Sequence, residues 1–181
     1  VIVIGNVILF LGGARSGKSA LAEKIVSGYN EVAYVATAEA IDEEMVERIK
    51  NHQDSRPSEW VTFEVDGKLA DTLSQACQKA DAVIVDCLTI YIARRMEQTV
   101  DDEQIITEVI EAVSEARQSG KTVAFVSNEV GMGLVPKYPV GRRYRDLLGK
   151  ANQKAAELAD KVLFTIAGIP VDIKALGLGD L

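Results

Sequence analysis

Residues 12–19 read Gly12, Gly13, Ala14, Arg15, Ser16, Gly17, Lys18 and Ser19, which fits G-x-x-x-x-G-K-[ST]. In this P-loop pattern the glycines let the backbone curl, so that successive N–H groups point at phosphate oxygens. A helix that starts at its end adds the positive pole of its dipole. Lys18 is then placed to reach the terminal phosphates of GTP or ATP, and Ser19 to ligate Mg²⁺. The pattern counts for more here because a strand precedes it and a helix follows it. A second candidate is Asp86, at the end of the apolar run Ala82, Val83, Ile84 and Val85. An acidic residue at such a place contacts Mg²⁺ directly or through water; the competing reading is a cap for the helix that begins nearby.

Three further groups have the right types for phosphate or ligand chemistry, each with a plain alternative. His52 is the single histidine of the chain. Neutral imidazole is a competent nucleophile near pH 7, yet a histidine at a helix end is also favoured there by the dipole. Arg56 could clamp a phosphate through two parallel hydrogen bonds or lie on the surface. Asn128, Glu129, Val130, Gly131, Met132 and Gly133 follow a strand, and two glycines two apart let backbone approach a ligand; an ordinary loop is the alternative. Arg142, Arg143 and Arg145 read first as a solvated helix face, and second as a phosphate or subunit contact.

These side chains need a frame, and the pattern supplies one. Continuous apolar runs at 7–11, 32–36, 82–85 and 123–126 are expected of strands covered on both faces. Residues 60–65 and 162–166 read as further strands, and 171–173 as a short terminal one after Pro170. Helical patterns fill 18–27, 42–52, 69–79, 89–96, 103–118 and 142–159. Strands alternating with helices predict an α/β domain: a P-loop-type, mostly parallel sheet with helices on both faces. No linker, repeat or low-complexity tract interrupts it, so residues 1–181 are expected to form one domain. Ligands of such sheets bind at the carboxyl ends of the strands, which singles out the loops after Leu11, Ala36, Val85 and Val126.

Composition narrows the function. The chain has 181 residues, 48% hydrophobic and 26% charged, as in ordinary globular proteins. A formal charge of −7 argues against nucleic acid as a partner. Cys77 and Cys87 show no metal-type spacing and read as buried, reduced thiols of a cytoplasmic protein. The apolar start, residues 1–11, is broken by Gly5 and Asn6 and lacks a basic leader. It is read neither as a signal peptide nor as a membrane span. The chain opens on Val1 without an initiator methionine, which points to a processed or trimmed start.

Taken together, the segments resemble the bifunctional adenosylcobinamide kinase/adenosylcobinamide-phosphate guanylyltransferase family. The resemblance rests on the P-loop and on Tyr34, Val35, Ala36, Thr37 and Ala38. It continues through Asp42, Glu43, Glu44 and Met45 with Arg48 and Ile49, then His52 with Arg56, Pro57 and Trp60. It closes with residues 128–136, Arg145 and Asp146, and Asn152 and Gln153. It covers nearly the whole chain in order, and the His52 and 128–136 blocks are its specific parts. It implies a kinase step onto the aminopropanol hydroxyl of adenosylcobinamide. A transferase step follows, in which GTP gives a covalent GMP–histidine and pyrophosphate, and GMP then passes to the corrinoid phosphate. It places the guanylylated histidine at His52, with Asn51 standing where some relatives resemble a His-His pair. It assigns nucleotide contacts to the P-loop, to Thr37, Ala38 and Glu39, to Gln53, Asp54, Ser55 and Arg56, and to Glu64 and Asp86. It also implies a homotrimer. The rivals are a different small-molecule P-loop kinase with a structural His52, and a nucleotide-binding module without catalysis.

Overall fold

Why the sheet forms is visible in its central strands. In a computed structural model, which describes residues 6–39, 47, 56–98 and 101–177, β1 (Val7–Gly12) is buried at every position. Such a strand cannot face water on either side, so it sits mid-sheet with side chains packed above and below. β2 (Val32–Ala36), β4 (Ala82–Asp86) and β5 (Thr122–Asn128) have the same character. Two less buried parallel strands, β3 (Val61–Glu64) and β6 (Lys161–Ile166), flank the set, and β7 (Ile169–Asp172) closes it. The seven-stranded order is β3-β2-β4-β5-β1-β6-β7. Each pair is parallel except β6–β7.

Helices cover both faces unequally. On one face α1 (Lys18–Val26) packs Ala22 and Val26 against Phe10, Tyr34 and Ile84. On the other lie α2 (Leu69–Lys79), α3 (Leu88–Gln98), α4 (Asp102–Ser119) and α5 (Pro139–Leu158). Their stripes, among them Leu69, Leu73, Ile92, Ile105, Val109, Leu147 and Leu148, close a larger core over Leu9, Val83 and Phe125. A four-residue helix, α6 (Ile173–Leu176), ends the described chain. At the start of α4 the Asp101 carboxylate accepts the Glu103 and Gln104 amides at 3.0 and 3.4 Å, satisfying donors that a helix start leaves open.

A buried polar node ties three of these helices together. The Tyr91 hydroxyl and the Arg95 guanidinium of α3 both donate to Glu108 of α4, at 2.8 Å and at 2.6–2.7 Å. The same hydroxyl accepts the Leu69 amide that opens α2. Burial alone would raise the Glu108 pKa; Arg95, Tyr91 and Gln104 outweigh it and hold the carboxyl below its ordinary value.

The expected architecture is found, with two corrections at boundaries. The last strand starts at Ile169 rather than Val171, runs antiparallel and includes Pro170. A two-residue turn with left-handed Ala167 and Gly168 folds it back on β6, and an edge strand tolerates the missing proline donor. Helix α5 begins at Pro139, not Arg142. Proline at the first helical position has its torsion already set and has no amide to leave unpaired. The helix expected at 42–52 lies outside the described residues, apart from Glu47.

Candidate functional site

Gly12 ends β1 where two strands press on it. It pairs with Asn128 of β5 and Thr165 of β6, and its carbonyl accepts the Glu129 amide at 3.0 Å. A Cβ at this position would lie 2.5 Å from Ser16 Oγ and 2.6 Å from the Thr165 carbonyl, so no other residue fits. Gly17 caps α1 with φ +93°, a left-handed torsion that glycine adopts without strain. The β6–β7 turn buttresses the loop from outside: the Gly168 amide donates to the Ser16 carbonyl at 2.8 Å. Ser16 Oγ is buried without a protein partner. A buried hydroxyl of this kind calls for a ligand or water, and here it lies in a phosphate-type loop.

Lys18 is only 8% exposed. Its ammonium group reaches back across the loop to the Gly13 carbonyl at 3.2 Å. Burial lowers its pKa, while Cys87 and Asp86 pull in the other direction. Asp86 therefore acts on Lys18 although β4 is separated by β5 from β1, the strand that leads into the loop.

Asp86 ends β4 facing this loop. The residue in front of α3 is Cys87, because that helix starts at Leu88; Asp86 is thus not at the capping position. Its Oδ2 instead accepts the Tyr34 hydroxyl at 3.0 Å. For Mg²⁺ the fit can be judged by donor chemistry. The Ser19 hydroxyl opens α1, and Asp86 supplies a carboxylate near Lys18; both are hard oxygen donors. Among the described residues no group of three or more His, Cys, Asp or Glu could hold a metal by itself.

Around this centre the expected nucleotide residues divide. Thr37 is fully buried, and its hydroxyl both donates to the Cys87 carbonyl at 2.8 Å and accepts the Cys87 amide at 2.7 Å. Its own amide donates to the Asp86 carbonyl and its carbonyl accepts from Arg94. In the structure Thr37 pins β2 to the end of β4. Ala38 follows half-buried, and the exposed Glu39 pairs with Arg94. Arg56 lays its guanidinium on the Tyr34 ring, 3.5 Å from the centroid. Glu64 ends β3 at the same edge of the sheet, opposite Ala36. It is four strand steps from β1, roughly 19 Å at ordinary spacing. His52, Gln53, Asp54 and Ser55 lie outside the described residues.

The loop after β5 starts beside the P-loop. The Asn128 amide donates to Thr89 at 2.8 Å and Asn152 donates to the Asn128 carbonyl at 3.0 Å. The buried Asn152 also accepts from Ser127 at 2.7 Å, so it serves to fix this loop from α5. Beyond Gly131 the side chains of Met132, Leu134 and Val135 are exposed, Leu134 at 96%. Arg142 donates to the Pro136 and Lys137 carbonyls, Arg143 pairs with Asp102, and Arg145 lies 3.7 Å from Asp146. Contacts within the chain thus account for Arg142 and Arg143 better than a bare solvated face does.

The sequence reading assigns no role to two positioning residues, Arg94 and Tyr34, the latter noted only within the segment 34–38. Arg94 donates to Thr37 and Val65 carbonyls from α3 and ties the ends of β2 and β3. Tyr34 links Asp86 and Arg56. The available signals are an Arg94-Arg95 pair directly after the run Leu88 to Ala93 and a tyrosine inside a buried strand.

A family profile described as cobinamide kinase / cobinamide phosphate guanyltransferase matches residues 8–173. The chain is 40% identical to the bifunctional adenosylcobalamin biosynthesis protein CobP of Pseudomonas aeruginosa, over 92% of this chain and 96% of that protein. It is 35% identical to the bifunctional adenosylcobalamin biosynthesis protein CobU of Salmonella typhimurium, over 92% and 99%. It is 32% identical to the CobU protein of Escherichia coli, over 92% and 99%.

Proposed function

This chain belongs to the cobinamide kinase / cobinamide phosphate guanyltransferase family, and from that premise we propose how its residues divide the two reactions. In the kinase step the substrate hydroxyl oxygen attacks the γ-phosphorus of ATP or GTP. The P–O bond to the nucleoside diphosphate breaks and the hydroxyl proton is lost. The loop amides of 12–19 and Lys18 hold the triphosphate in line, and placement with charge stabilisation supplies most of the catalysis. In the transferase step an imidazole nitrogen of His52 attacks the α-phosphorus of GTP and pyrophosphate leaves. The corrinoid phosphate oxygen then attacks the same phosphorus, breaks the P–N bond and frees the histidine, giving adenosylcobinamide-GDP. Splitting one displacement into two is what a nucleophilic side chain offers.

Mg²⁺, held by Ser19 and Asp86, would neutralise charge on the phosphate oxygens. Arg56, four residues past His52, is the basic group next to the transferred phosphate. The observation that carries this reading is the arrangement at the sheet edge. The buried, unpartnered Ser16 hydroxyl, Lys18 within the field of Asp86, and Arg56 stacked on the tyrosine bonded to Asp86 share one strand-end cluster.

Asp86→Asn tests the metal assignment. Phosphoryl transfer is expected to fall roughly 10- to 100-fold while the melting temperature stays close to the parent. A large drop in melting temperature with normal specific activity would return Asp86 to a structural role.

The exposed apolar stretch at 132–135 is proposed as the corrinoid edge of the site, because its loop starts at the P-loop and its side chains are free of the core. A Cβ at Gly133 would meet only the Val130 carbonyl, at 3.8 Å, so Gly133→Trp is sterically tolerable. It should raise the KM for adenosylcobinamide about tenfold and leave that for the nucleotide unchanged. Parental kinetics for the corrinoid would remove the loop from the site.

The chain is proposed to act in the cytoplasm as a homotrimer. Exposed Ile166, Ile169 and Leu176 along the β7 edge offer apolar surface for a subunit contact. No helix among the described residues is long and apolar enough to cross a membrane.

A further inference from the structure

Tyr34 is 5% exposed and points to the α1 face of the sheet, among Phe10, Ala22 and Ile84. A buried tyrosine normally finds a partner for its hydroxyl, and here the partner is the Asp86 carboxylate, 52 residues on in sequence. That bond fixes the rotation of the carboxylate by engaging Oδ2, which leaves Oδ1 as the acceptor for a cation. The opposite function of the same side chain is its ring, on which the Arg56 guanidinium rests 3.5 Å from the centroid. A cation over a shielded aromatic face is held more firmly than one in water. One rigid side chain, with two torsions, thus touches the carboxylate on the metal side and the basic residue on the transfer side.

We propose that Tyr34 is a positioning residue for both half-reactions: its hydroxyl orients Asp86 towards Mg²⁺, and its ring seats Arg56, the basic group assigned above to the transferred phosphate. This rests on the guanylyl-transfer reading above. The alternative is a core aromatic whose hydroxyl happens to be satisfied by the nearest acceptor. The two differ in what separate removal of the hydroxyl and the ring would do.

The experiment uses the full chain carrying Tyr34→Phe or Tyr34→Leu. Binding of an α,β-methylene GTP analogue, whose P–C bond replaces the one broken in GMP transfer, is measured by calorimetry, with Mg²⁺ and with EDTA. Tyr34→Phe should lose about tenfold of the Mg²⁺-dependent tightening and keep the parental affinity in EDTA. At saturating Mg²⁺ the rate of GMP attachment is then followed by intact mass. Tyr34→Phe should react at nearly the parental rate, whereas Tyr34→Leu should be slower by about tenfold because Arg56 has lost its seat. Equal loss of affinity with and without Mg²⁺ in Tyr34→Phe would show a structural role and overturn the proposal. So would equal attachment rates in the two folded variants. If Tyr34→Leu does not fold, Tyr34→Met takes its place with the same two outcomes: slowing by a similar factor supports the seat, and a rate equal to that of Tyr34→Phe refutes it. A parental chain that takes up no GMP would refute the histidine reading instead, and the calorimetric comparison would still decide the role of the hydroxyl.

Discussion

Replacing His52 with alanine is expected to stop guanylyl transfer while leaving phosphoryl transfer to adenosylcobinamide largely in place. The chain contains one histidine, so no neighbouring imidazole can substitute. Loss of a covalent nucleophile commonly removes four or more orders of magnitude from a reaction, and the transferase should fall to that extent or to background. The kinase step needs no such nucleophile. It is a direct in-line displacement for which the loop at 12–19 supplies position and charge. Assaying each half-reaction on the same folded variant separates this from a structural histidine, which predicts modest destabilisation and similar losses in both activities. Formation of adenosylcobinamide-GDP at the parental rate by His52→Ala would show the assigned covalent route to be wrong.

Lys18→Ala should have the opposite breadth, depressing both reactions. The ammonium group is buried beside the loop, with the Gly13 carbonyl as its hydrogen-bond partner and Asp86 within its field. An added triphosphate offers it a stronger acceptor, since charge-assisted hydrogen bonds exceed neutral ones. Removing one such preorganised donor costs roughly 10²- to 10³-fold in rate, and the proposal has both half-reactions use a triphosphate held by this loop. The fold should survive, because the ammonium group bonds to the loop rather than to the core. Unchanged turnover and GTP affinity in folded Lys18→Ala protein would exclude the role.

The two variants therefore predict a selective loss and a general one, and the reason lies in how the site is distributed along the chain. The phosphate loop is local: eight consecutive residues between a strand and a helix, legible from spacing alone. The central strands were legible for a similar reason, because burial on both faces leaves unbroken apolar runs at Val7–Gly12, Val32–Ala36 and Ala82–Asp86. What spacing could not reveal was cross-chain partnership. Thr37 closes on Cys87 and Tyr34 on Asp86, each about 50 residues away. No local pattern encodes which hydroxyl meets which backbone group. Arg142 and Arg143 looked like a solvated face because helix periodicity does not show that Asp102 and the Pro136 carbonyl wait beside it. The start of α5 was misplaced because Pro139 and Gly141 carry loop signals, while the same proline suits a first helical turn. The antiparallel β7 was obscured by Pro170, which an edge position accommodates.

The covalent step is the central claim, and an intact-mass measurement of the full chain after incubation with GTP and Mg²⁺ tests it most directly. The account predicts a mass increase of one GMP unit per chain, lost on acid treatment, mapping to His52 in the peptide digest and absent from His52→Ala. A chain that remains unmodified while it converts adenosylcobinamide phosphate to adenosylcobinamide-GDP, or that carries GMP on a residue other than His52, would contradict it.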